Sequence, residues 1–266
     1  MIFTTLTCAC ADIFNGTGEI FPGGESLNFS CAVKAVSPET EVFLVGAVGD
    51  DEAGHIVRAT AERCGVNTDH LYTEAGKTAS NRTYLTPDGD RYYRPDSWDS
   101  GVYGTFRLGE RDRSLLRRSD LVHTSIYCPS FGEILTERES GGFRLAVDFN
   151  DSRVFTEWEG FLDRVDLFFI SGDEAVCRVA REWSERYAGV FIVTLGERGS
   201  RAFRSGAAFS EAAVSVERVV DTTGCGDSYQ AGFCAELFRS GDLSRAMKAG
   251  ALAAARVVGR FGGVGG

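Results

Sequence analysis

Short apolar runs recur along the chain, and between many of them apolar positions return every three or four residues. The runs "EVFLVGAVG" (41–49), "DLVHTSIY" (120–127), "FRLAVDF" (143–149), "VDLFFIS" (165–171) and "GVFIVTL" (189–195) are rich in β-branched and aromatic residues. Their length and composition predict buried strands. "DEAGHIVRATAERCG" (51–65), "SFGEILTERES" (130–140) and "DEAVCRVAREWSERYAG" (173–189) carry the helical period instead. Strand and helix in alternation predict an α/β fold: a doubly wound, mostly parallel sheet with helices on both faces.

Two segments break that rhythm. "NRTYLTPDGDRYYR" (81–94) has strand-like halves around the turn signal Pro87-Asp88-Gly89-Asp90, which predicts a hairpin. "IFNGTGEIF" (13–21) has apolar ends around glycines. Together they predict a small, discontinuous β-sheet from 13–22 and 72–101, standing off an α/β domain made of 1–12, 23–71 and 102–266. No internal repeat, low-complexity tract or proline-rich linker interrupts the chain.

Composition narrows the function. The chain has 266 residues, 43% of them apolar, enough for a sizeable core in one large domain or a domain with an appendage. A net charge of −10 argues against a nucleic-acid or membrane-surface role. The eight cysteines include no C-x-x-C pair. Neither a zinc site nor a disulfide framework is expected, and the reading is a reduced, cytoplasmic protein. No basic region precedes the first apolar run, so no signal peptide is expected, and no uncharged stretch is long enough to span a bilayer.

The chemistry concentrates in "DTTGCGDSYQAGF" (221–233). Within "VERVVDTTGCGDSYQAGFCAELFRSG" the pattern predicts a strand, a glycine turn and a helix from about 226 to 241. Ala231, Cys234, Ala235 and Phe238 fall on one helical face. The first N–H groups of such a helix lack internal partners and its dipole is positive there, while Gly224 and Gly226 clear space for close approach. That suits a phosphate. Asp227 would repel one, unless it faces the nucleophile instead. Phosphoryl transfer needs both parts, donors for the moving group and a carboxylate for the attacking hydroxyl. On this segment alone, a glycine turn with a capping aspartate is an equal reading. It is neither a Walker A loop nor G-x-G-x-x-G.

The segment resembles the D-T-x-G-A-G-D signature of the ribokinase-like (PfkB) carbohydrate kinases, with Cys225 in place of the usual Ala. "FPGGESLNFSCAVKAV" is similar to the family's G-G-x-x-x-N stretch, and "VGAVGDDEAGHIVRATAERCGV" to the segment after it. "VTLGERGSRAF" resembles its T-L-G-x-x-G nucleotide segment. The resemblance implies an α/β domain with a β-sheet lid, ATP and Mg2+ as co-reactants, and a sugar as acceptor. It implies Asp227 as catalytic base and the backbone of Gly224, Cys225 and Gly226 as anion hole. Asp221 and Thr223 match positions that ligate a monovalent cation such as K+. Thr194, Gly196 and Gly199 match nucleotide-contacting positions, and Asp12, Gly24 and Asn28 match positions that bind substrate hydroxyls. "AGALAAARVVGRFGG" corresponds to a helix and loop near the adenine, and a homodimer paired through lid edges is a further implication.

The chain also departs from the pattern. The family's magnesium-associated N-x-x-E should fall near "ISGDEAVC", where Ser171, Gly172, Asp173 and Glu174 stand instead; Asp173 or Glu174 are candidates to serve. Residues 8–28 and "SDLVHTSIYC" look most like fructoselysine 6-kinases, which phosphorylate a sugar–amine adduct. Glu25 follows the paired glycines where ribokinases carry Lys, and an acidic residue there can pair with an amine; an exposed Glu favoured by a helix dipole is the other reading. Ribokinase, fructokinase, ketodeoxygluconate and nucleoside kinase activities stay open. So does a sugar or nucleotide sensor that has lost catalysis. A nicotinamide oxidoreductase is disfavoured, since no strand runs into G-x-G-x-x-G.

Overall fold

A computed structural model describes residues 1–15, 17–85, 91–92, 94–151, 158–259 and 262–264. Among these, one large sheet forms the middle layer. Its parallel strands are β1 (Ile2–Leu6), β4 (Glu41–Gly49), β5 (Asn67–Glu74), β9 (Leu121–Ser125), β10 (Arg144–Asp148), β11 (Leu167–Ser171) and β12 (Val190–Thr194). The antiparallel hairpin of β13 (Ser200–Arg204) and β14 (Ala207–Glu211) extends one edge. The spatial order is β14-β13-β12-β11-β10-β9-β1-β4-β5. All five predicted strands lie in it. Their apolar runs are buried on both faces because helices cover both.

One face carries α1 (Glu25–Val36), α2 (Glu52–Arg63), α6 (Cys225–Ser240) and α7 (Leu243–Val257), packed around Phe3, Leu27, Phe29, Phe169 and Phe233. The other carries α3 (Glu110–Arg118), α4 (Phe131–Ser140) and α5 (Glu174–Arg186) over Phe143, Phe149, Phe168 and Phe191. Each of these fully buried side chains contributes about 1.5–3 kcal/mol of burial, which fixes the helices against the sheet. α6 is buried along most of its length and packs against both α7 and α1.

A second, mixed sheet joins β2 (Cys10–Phe14), β3 (Ile20–Gly23), β6 (Ser80–Leu85), β7 (Arg91–Tyr92) and β8 (Trp98–Asp99). β2 pairs antiparallel with β3 and parallel with β6, so the two early stretches of chain do meet. A lone hairpin is marginal in water; pairing β6 to β2 supplies the missing partner. Its first strand starts at Cys10, ahead of residue 13, and β5 stays in the large sheet beyond residue 72. The turn 86–90 and Tyr93 lie outside the described residues. Tyr84 is buried, stacks on Tyr92 and lies under Arg94, so Tyr92 and Arg94 share one face.

One expectation is overturned. The β-branched run at 216–220 is not a strand. Val219 is exposed, and the segment's end is sewn to the C-terminal loop, with Val220 N–H and Asp221 N–H both donating to the Val258 carbonyl. β-branched residues favour a strand only where a ladder and a packing face exist.

Candidate active site

The parallel strands all point their carboxyl ends to one edge, and the chemistry-bearing residues gather there, as expected of open α/β sheets. Registers place Thr194 beside Ser171 and Asp148 beside Ser125, with Thr124 against Leu6. A row therefore runs from Thr194 through Ser171 and Asp148 to the end of β1. A cleft of about 130 Å³ opens on it, lined by Asp148, Asn150, Ser171, Thr194, Gly226 and Asp227 among others.

α6 brings its N-terminus to this cleft. Gly224 occupies the N-cap with φ 75°, and no side chain caps the helix. A Cβ on Gly224 would stand 2.6 Å from the Gly263 Cα, so the position demands glycine twice, for conformation and for space. Above Gly226 the space is open. Of the three N–H groups assigned to the anion hole, that of Cys225 donates to the Thr222 carbonyl at 3.2 Å, a turn bond with which an anion would compete.

Asp227 lies in the first turn of α6, half-buried, and its Oδ2 accepts from Asn28 Nδ2 at 2.8 Å. Burial and then the Asp148 carboxylate push its pKa up to about 7, against the Asn28 bond, which lowers it. A carboxyl near 7 is matched to general-base work at neutral pH. Asn28 therefore touches the base; its buried Oδ1 has no partner among the described residues.

Asp221 accepts from Thr223 N and Oγ1 through Oδ1 and from Gly262 N through Oδ2, tying the turn to the C-terminal loop. Asp12 is buried in β2, and Gly24, at φ 92°, lets α1 begin where a Cβ would be 2.5 Å from the Cys8 carbonyl. Gly196 and Gly199 shape the turn after Thr194 and are not among the residues lining the cleft.

Glu25 stands at the start of α1, half-buried. Its pKa rises to about 8 through burial and then the charges of Asp148 and Asp227. Asp173 and Glu174, the candidates for magnesium, are otherwise engaged. Asp173 caps α5, accepting from Ala175 and Val176 N–H, and Glu174 meets Arg201 at 2.6 Å and Arg198 at 3.5 Å. Sequence reading missed Asp148, Asn150, Gln230 and His123. Asp148 and Asn150 sit where a strand ends, and Gln230 lies one helical turn after Asp227, the two signals that could have found them.

A helix start without a side-chain cap, a carboxyl tuned near neutrality beside it and a strand-edge cleft suit a phosphotransferase of the ribokinase-like fold. The chain belongs to the pfkB family of carbohydrate kinases, whose model matches residues 12–136 and 156–265. It is a sugar kinase, an ATP-dependent phosphotransferase with an alcohol group as acceptor. It is 32% identical to the fructoselysine 6-kinase of Shigella flexneri over 94% of each chain. Its fold is similar to that of adenosine kinase from Sinorhizobium meliloti, with a TM-score of 0.84 at 22% identity over 99% of this chain and 95% of that one. A putative ribokinase II from E. coli, solved with ATP and Mg2+, superposes with a TM-score of 0.80 at 18% identity, covering 99% and 94%. Among the described residues, no helix is long and apolar enough to cross a membrane.

Proposed function

We propose that the enzyme transfers the γ-phosphoryl group of ATP to a hydroxyl of a sugar–amine adduct of the fructoselysine class. The observation that carries this reading is the tuned carboxyl of Asp227 at the open N-terminus of α6. Asp227 takes the proton of the attacking hydroxyl, while Asn28 holds one carboxylate oxygen and leaves the other to the substrate. The N–H groups of Gly224, Cys225 and Gly226 receive the charge that grows on the moving phosphoryl. Thr194, with Gly196 and Gly199 setting its turn, holds the nucleotide; Asp12, Gly24 and Asn28 bind sugar hydroxyls. The small sheet of β2, β3, β6, β7 and β8 serves as a lid that excludes water. Asp221 and Thr223 belong to a monovalent-cation site. Magnesium neutralises the transferred phosphate when bound. Among the described residues the cleft offers it side-chain oxygens from Asp148, Asn150, Ser171, Thr194, Asp227 and Gln230, which fits a hard cation. All eight cysteines are free thiols, which supports a reducing, cytoplasmic setting.

The amine is supported by charge. Asp148 and Asp227 raise the pKa of Glu25, Asp148 raises that of Asp227, and among the described residues none that lines the cleft is basic. A cation brought by the substrate relieves that repulsion at Glu25. ADP release measured over fructoselysine, other fructosamines, fructose and ribose should show the fructosamines preferred. Glu25→Gln should then lose on the order of 1–3 kcal/mol more on the cationic substrate than on fructose, the range for charge-assisted hydrogen bonds. Equal losses on both would retire the amine and leave a neutral-sugar kinase. Replacing potassium by a bulky organic cation should slow turnover; identical rates would remove the monovalent site.

A further inference from the structure

We propose that Asp148 is the carboxylate that holds the nucleotide's divalent cation in this enzyme, and that Gln230 and His123 are the positioning residues that aim it. The inference rests on the kinase reading and names the residue that serves where N-x-x-E is missing.

Asp148 ends β10, paired with Ser125 on β9 and Phe169 on β11, and lines one cleft with Ser171, Thr194 and Asp227. Both its oxygens are fixed by neutral donors. Oδ1 accepts from Asn150 N–H at 2.7 Å, and Oδ2 accepts from Gln230 Nε2 at 2.6 Å. Asn150 reaches that position with a left-handed φ of 53°, a conformation that costs a non-glycine residue energy and is concentrated at functional sites.

The second link fixes the first. Gln230 must present its NH2 to a carboxylate, so its Oε1 faces His123 Nε2 at 2.7 Å. His123 is fully buried, lies flat on Phe29 with ring centroids 3.9 Å apart, and is held neutral by burial, with a pKa of about 4. Its single ring hydrogen therefore sits on Nε2, donating to Gln230, and Nδ1 is left to accept from Thr5 Oγ1 at 3.4 Å. Each group in the relay has one orientation. A buried carboxylate supported only by neutral donors, opposite a second carboxylate, is expensive unless a cation joins it. Magnesium is held in this way, through one or two carboxylates, substrate phosphates and retained waters.

The test uses Mn2+ as the probe and a non-hydrolysable ATP analogue, with free Mn2+ counted by electron paramagnetic resonance, so that no turnover is read. Asp148→Asn should weaken Mn2+ binding in the presence of the analogue at least about tenfold, as loss of a ligand or its support does. Affinity for the analogue without metal should hold or tighten. Gln230→Leu, which removes both relay bonds, should weaken Mn2+ binding by a smaller factor at an unchanged Asp148, and keeps the test open if Asp148→Asn fails to fold. Glu174→Gln should bind Mn2+ as the parent does. Parental Mn2+ affinity in Asp148→Asn, or a loss in Glu174→Gln as large as that expected of Asp148→Asn, would overturn the assignment. A parent protein that binds neither analogue nor Mn2+ would instead overturn the kinase reading itself.

Discussion

Two aspartates at helix starts, Asp51 and Asp227, have opposite fates. Asp51 caps α2 and receives Gly54 N–H at 2.9 Å, Thr78 N–H at 3.0 Å and the Thr78 hydroxyl at 2.5 Å. Burial raises its pKa, but those bonds outweigh it and hold the carboxylate below its usual value. Asp227 lies inside the first turn of α6, facing a cleft and another carboxylate, and is pushed up to about 7. α5 and α7 follow Asp51: Asp173 and Asp242 cap them. At α6 the capping position is Gly224, which supplies no acceptor. A helix start satisfied by its own chain is structural. One without a side-chain cap, with a carboxylate beside it that only Asn28 is seen to meet, is available to a ligand.

The largest effect expected is on Asp227 itself. Asp227→Asn keeps the hydrogen-bonding shape and removes the base, so turnover should fall roughly 10²–10⁴-fold with the fold intact. The parent's kcat/KM should also report the raised pKa. The base works only when ionised, so activity should rise with pH through about 7 and be lost below it. An acidic limb centred near the ordinary aspartate value of about 3.9 would break the contrast with Asp51.

Gly224→Ala comes next. The left-handed conformation costs a non-glycine residue about 1–2 kcal/mol, and the added Cβ would force Gly263 away. Gly263 in turn packs on the Asn28 amide that holds Asp227. Turnover should therefore fall by up to about 10²-fold through misplacement, with a lower melting temperature. A stability loss with unchanged turnover would mean that the open cap is only a packing feature.

Much of this was legible in the chain and some was not, for definable reasons. The five apolar runs and the turn at 221–227 are local patterns, and local patterns survive folding. Strands β1 and β5 and the hairpin of β13 and β14 carry weaker patterns that the sequence reading does not separate from loop. The run at 216–220 misled because its valines have strand propensity but no ladder to join. Asp227 was legible from its glycines, but its partner Asn28 stands 199 positions away, and Gln230 and Asp148 are 82 apart. Which carboxylate serves magnesium depends on where strand ends meet, and spacing could not separate Asp148 from Asp173 and Glu174.

The smallest effect is expected where the helix start is already satisfied. Asp51→Ala removes the cap of α2 and its bonds from Thr78, whose hydroxyl also accepts Gly49 N–H. Cap losses of this kind cost typically about 1 kcal/mol, within roughly 0.5–2. The loss should show in denaturant melts near neutral pH. A carboxylate whose folded pKa is depressed contributes stability above its unfolded value and loses it as pH falls through the folded one. The gap between parent and Asp51→Ala should therefore shrink in acid. Turnover per folded molecule should not change, since Asp51 accepts from the α2 turn and Thr78 and is not among the residues lining the cleft. A fall in turnover comparable with that of Asp227→Asn would mean that the Thr78 tether, and the small sheet that begins beyond it at Ser80, control the chemistry; the division between satisfied and open helix starts would then fail.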